Sequence, residues 1–169
     1  MKKHTRYLAH AAIIAALYAV LTHLQNILLP GSATWAIQMR LSEALCVLAF
    51  FTPAAAAGLS IGCLIFNMTF AAALPLDFLV GTLASYLAAK GMWLTRSWGK
   101  FPLLGFLMPA LTNAVLVGWE LNLYIGGGFW INAVYVFIGE AAVLLTLGSA
   151  LYYAMKSRKL DQQLFGTAQ

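Results

Sequence analysis

At 169 residues, 62% of them apolar and 9% charged, with a mean hydropathy of +0.83, the chain is no soluble domain. A soluble domain would carry about a quarter charged residues. The net charge of +5 requires no nucleic acid, because the basic residues flank apolar segments and would meet an anionic inner leaflet.

Turn signals divide the sequence into six apolar segments, over 7–29, 38–51, 54–72, 76–94, 102–121 and 130–154. The predicted architecture is therefore all-α and integral to a membrane. It is a six-transmembrane-helix bundle, read as a single membrane domain over 1–169, in a hydrocarbon core roughly 30 Å thick. The first segment follows Lys2, Lys3 and Arg6 but is long for a signal sequence, and it reads as a retained helix. It carries Ala11, Ala15 and Ala19 at four-residue spacing, with Ala12 and Ala16 on the adjoining stripe. Small side chains let another helix approach closely in lipid, so this face either packs inside the chain's own bundle or docks a second subunit.

Pro30-Gly31-Ser32 breaks the first connection, and the second segment opens on the polar run Gln38-Met39-Arg40-Leu41-Ser42-Glu43. Arg40 and Glu43 are three apart and share a helix face. A charge inside a membrane costs at least about 2.5 kcal/mol, so the two either neutralise each other as a structural pair or face a polar ligand. Thr52-Pro53 leads to the third segment, which holds Asn67 toward its far end. Asp77 opens the fourth, as an N-cap or as a pocket residue. The fifth holds Asn113 and Glu120, seven apart and on one stripe. Gly126-Gly127-Gly128 then gives way to Trp130, Asn132 and Tyr135, with Glu140 roughly 15 Å into the sixth segment. Cys46 and Cys63 read as small packing residues, and His4, His10 and His23 as ordinary polar residues near the first helix.

Nine of the ten Lys and Arg residues fall on one side of this partition, at Lys2 to Arg6, Lys90 to Lys100 and Lys156 to Lys159. The positive-inside rule makes that side cytoplasmic, together with both termini. Arg40, Glu43, Asn67, Asp77, Asn113, Glu120, Asn132 and Glu140 then gather toward the outer side as one polar pocket. Trp35, Trp119, Tyr124 and Trp130 share that level, as aromatic walls or as an interfacial belt. Each polar residue also has a plainer role, with Asn67 and Asn113 as interhelical hydrogen-bonding groups and Glu120 as a solvated loop residue. No G-x-x-x-x-G-K-[ST], H-E-x-x-H or G-x-S-x-G motif is present, so the sequence predicts no ATP site, metal site or enzyme. An intramembrane enzyme using Glu43 or Glu140 as acid or base is the rival from another class, and a bundle that only assembles with other membrane proteins is a third.

The run from Ile37 to Leu45, the run Gly58 to Asn67, the Asp77 to Thr82 segment and the alanine-rich opening that ends Leu17-Tyr18-Ala19-Val20-Leu21-Thr22 together resemble the QueT family. The resemblance covers about residues 5 to 155. It implies a substrate-binding S component of an energy-coupling factor (ECF) transporter in the cell membrane. Such a component captures a 7-deazaguanine queuosine precursor at the outer face. It docks on an ECF coupling transmembrane subunit through Ala11, Ala15 and Ala19, and two separate ATPase subunits use ATP to drive uptake. An S component for another vitamin-like molecule is the nearest alternative. Within the pocket Glu43 would accept from the ligand's N–H edge and Arg40 would donate to its carbonyl, with Glu120 or Glu140 as alternative acceptors. Gln38 belongs to the same set, and Trp35 or Trp130 would stack on the ring.

Overall fold

The computed structural model describes residues 2–32, 39–71, 73–98 and 103–166. Helix α1 runs Lys2–Leu28, a 3-10 helix Leu41–Phe50, α2 Ala54–Thr69, α3 Asp77–Thr95 and α4 Leu103–Tyr124. A continuous rod follows, built of α5 Phe129–Val143, a π-helical turn Leu144–Gly148 and α6 Ser149–Ser157. A short α7, Leu160–Phe165, comes after Lys159, whose φ of 53° turns the chain back. No strand occurs among the described residues.

Three rods are long and apolar enough to cross a bilayer, namely Lys3–Leu28, Leu103–Tyr124 and Phe129–Ser157. The predicted second segment instead forms a ten-residue 3-10 helix, about 20 Å long at 2.0 Å per residue. That is shorter than the hydrocarbon core. It is the centre of the molecule rather than a peripheral span. Every rod from α1 to α6 packs on it, and eight of its ten residues are buried. A helix that is apolar on all sides has to be enclosed in this way. Its start is fixed by α1: Gln25 donates to the Met39 carbonyl and accepts from the Leu41 N–H at 2.8 Å, while Thr22 donates to Ser42 at 2.7 Å.

Around this centre α1, α2, α3, α4 and α5 pack in sequence order, each on the next. Helix α1 does not pack on the α5–α6 rod, and the 3-10 helix lies between them. A groove of about 370 Å³ opens there, lined by Ile13, Leu17, Leu45, Leu48, Leu151 and Phe165 among others.

The alanine stripe of α1 lies inside the bundle. Ala11, Ala15 and Ala19 are buried, and α2 meets the first two through Gly58 and Gly62. A Cβ added at Gly58 would stand 2.7 Å from the Ala11 carbonyl oxygen, and one at Gly62 would stand 2.7 Å from that of Ala15. Backbone approach this close needs small residues on both helices. The expectation that these three alanines dock a partner is therefore corrected: all three are buried in this chain, and the surface of Ala11 and Ala15 is occupied by its own α2. Ala9, Ala12 and Ala16 form the small-residue face of α1 that remains exposed.

Candidate functional site

The outer half of the bundle, taken as the end away from the basic residues, gathers the chain's polar side chains around the start of the 3-10 helix. Three residues per turn bring positions i and i+3 into line, so Cys46 stands directly beside Glu43. Its thiol donates to Glu43 Oε2 at 3.0 Å, and the Tyr18 hydroxyl donates to Glu43 Oε1. Both carboxylate oxygens of Glu43 are thus held from within the protein. Arg40 turns elsewhere: its Nη1 approaches Cys63 Sγ at 3.9 Å, and its guanidinium carbon lies 5.7 Å from the centre of the Phe66 ring. Arg40 and Glu43 are both buried, and the hydrogen bonds to the Glu43 carboxylate come from Tyr18 and Cys46.

Asp77 is the first residue of α3, not its cap. Leu76 occupies the N-cap position without a side-chain bond, and Asp77 Oδ2 accepts backward from the Leu74 N–H at 2.7 Å. Asn67 donates to the Asp77 backbone carbonyl at 2.7 Å and approaches Cys63 Sγ at 3.5 Å. Glycine at 81 leaves room for this, since a Cβ there would sit 2.7 Å from the Asn67 amide nitrogen. On the other wall Asn113 of α4 lies beside Glu140 of α5. Two acidic groups are left with open oxygens. Glu140 is 1% exposed and its Oε2 has no hydrogen-bond partner. Glu120 is 0% exposed and neither of its oxygens has one. Glu120 faces Asp77, itself an acceptor, and both Glu120 and Glu140 lie in the field of Arg40. The Asn67 amide oxygen is likewise buried without a donor.

An unpartnered buried acceptor costs about 1 to 3 kcal/mol, and more when it is charged. Three such side chains around one guanidinium make a site that is short of donors. A small ligand rich in N–H groups would supply them.

Several expected residues are not brought to this cluster. Trp130 is 77% exposed, because on α5 the buried positions are Asn132, Ala133, Val136, Gly139, Glu140 and Val143, and Trp130 falls on the opposite face. Trp119, Tyr124 and Tyr135 are also exposed, as members of an interfacial belt would be. The Asn132 amide donates to the Gly126 carbonyl at 2.7 Å and ties down the glycine turn. Gln38 and Trp35 lie outside the described residues. Conversely Tyr18, Cys46 and Cys63 are polar members of the cluster that the sequence reading assigned to packing or left aside. Tyr18 carried a usable signal: a hydroxyl on the same helix face as Ala11 and Ala15 would be buried with them and would need a partner.

A family model described as QueT transporter matches residues 8–157 of this chain. No curated protein and no solved structure matches it.

Proposed function

The chain belongs to the QueT transporter family, and on that footing we propose that it is the substrate-binding S component of an ECF-type importer. It takes up a 7-deazaguanine queuosine precursor from the outer side of the cell membrane. The observation that carries this reading is Glu120, a fully buried carboxylate with both oxygens unoccupied. A guanine-like base offers a ring N–H and an amino group along one edge, with a carbonyl beside them, and a carboxylate can accept both donors at once. Glu120 takes that role in place of Glu43, whose oxygens are already used by Tyr18 and Cys46. Arg40, which lies over Phe66 beside Cys63, would donate to the carbonyl.

ATP is used by two partner ATPase subunits, and the chain meets the coupling transmembrane subunit through the exposed Ala9, Ala12 and Ala16 of α1. The test is ligand-dependent thermal stabilisation of the purified chain, since a ligand that binds only the folded form raises its midpoint. Stabilisation by 7-deazaguanine compounds without their consumption supports the proposal, and Glu120→Gln should weaken binding about ten- to hundredfold. Turnover of the compound would point to an enzyme instead. The absence of any response would remove the ligand assignment.

A further inference from the structure

The groove between α1 and the α5–α6 rod changes character along its length. On α1 one face carries Lys3, Arg6, His10, Ile13 and Leu17, at alternating steps of three and four residues that keep one side of a helix in line. The last three of these line the groove, and the first two continue the same face toward the helix start. Arg6 is one turn from His10, about 6 Å at 1.5 Å per residue. The facing wall repeats the order: Leu151 and Met155 of α6 line the groove, and Arg158 follows one turn later at the helix end. Helix α7 bridges the two walls at this level, where the Phe165 ring meets His10 edge-on with centroids 5.1 Å apart.

Both walls are therefore apolar above and cationic below. Lys3, Arg6 and Arg158 are exposed, and Asp161, the acidic residue at this end, is already taken by Lys156 at 3.0 Å. The positive-inside rule predicts that this end meets the inner leaflet, which carries the anionic lipids. The apolar part is not shaped for a helix. Helices that dock in lipid approach over small residues, whereas Ile13, Leu17, Leu151, Met155 and Phe165 are all large. Left empty, such side chains would forgo dispersion contacts on one side. A thin, flexible hydrocarbon chain can restore them.

We propose that this groove is a binding site for an anionic phospholipid of the inner leaflet, with an acyl chain between α1 and α6 and its phosphate at Lys3, Arg6 and Arg158. Guanidinium groups suit a phosphate because they donate two parallel hydrogen bonds to it. The site does not depend on what the polar cluster of the outer half binds.

The experiment is native mass spectrometry of the intact purified chain in detergent, titrated with phosphatidylglycerol or with phosphatidylcholine of identical acyl chains. Phosphatidylglycerol should bind at least about tenfold tighter, as several basic residues near one headgroup predict. Arg6→Gln and Arg158→Gln should each weaken it about fivefold and leave phosphatidylcholine unchanged. Lys90→Gln, a basic residue of the same end but on α3, should change neither lipid. Leu17→Trp should weaken both by filling the apolar part, and Leu17 is exposed enough for the ring to enter the groove without disturbing the core. Equal binding of the two lipids would overturn the proposal, as would a loss in Lys90→Gln equal to that in Arg6→Gln, which would assign the preference to overall charge. If folded Leu17→Trp keeps phosphatidylglycerol but no longer associates with a coupling subunit, the groove belongs to a protein helix and the lipid site is overturned.

Discussion

Tyr18 shows what a single hydroxyl contributes when its acceptor is a buried carboxylate. Polar contacts between membrane helices are worth about 0.6 kcal/mol on average, because separated helices find other partners. Here the residue left behind is Glu43, 1% exposed, with only a Cys46 thiol on its other oxygen. Tyr18→Phe should therefore cost about 1 to 3 kcal/mol, the range for stranding a buried acceptor, and should lower the thermal midpoint in detergent. An unchanged midpoint would show that the Tyr18–Glu43 bond has no net worth. The burial of Arg40 and Glu43 was legible in the sequence, since charges next to an apolar run must be enclosed or paired. Their partners were not, because Tyr18 lies 25 residues from Glu43 and Cys63 lies 23 from Arg40. Spacing along one helix carries no information at that range.

Between elements, the small residues of α1 separate into two faces with different consequences. Ala11 and Ala15 meet α2 at backbone distance, so Gly62→Leu has no room: its Cβ alone would stand 2.7 Å from the Ala15 carbonyl oxygen. Overpacking of this kind typically costs about 1 to 3 kcal/mol, and backbone cannot rotate away as a side chain can. Gly62→Leu and Ala15→Leu should both reduce the folded yield of the isolated chain. Ala16→Leu, on the exposed face, should leave its folding and ligand binding intact and abolish uptake when the partner subunits are present. Normal uptake by Ala16→Leu would move the docking surface off α1. The four-residue spacing announced close packing correctly but could not say against which neighbour, since α2 and a foreign helix ask for the same residues. The 3-10 geometry of Leu41–Phe50 was hidden for a similar reason: a ten-residue run buried on most sides shows no amphipathic period by which to tell three residues per turn from 3.6.

For the whole molecule, the turn signals located the rods to within a few residues because proline and glycine end helices whatever surrounds them. They did not show that the shortest rod is central, which is a property of packing. Short connections make consecutive rods alternate in direction. The start of α1 with Lys3 and Arg6, the end of α3 with Lys90 and Arg96, and the end of α6 with Lys156 and Arg158 therefore fall at one end of the bundle. Glu43, Asp77 and Glu120 lie toward the other. The positive-inside rule predicts from this that the basic end is cytoplasmic and that the polar cluster opens outward, which is the orientation the proposed function needs. Single cysteines at Arg96, Arg158 and Tyr124 test this, because the native Cys46 and Cys63 are buried and shielded from reagent. Tyr124, 41% exposed at the end of α4, should react with a membrane-impermeant maleimide on intact cells. Arg96→Cys and Arg158→Cys should react only after the membrane is opened. Labelling of either from outside would invert or break the topology, and the acidic cluster would then face a compartment from which an importer cannot load.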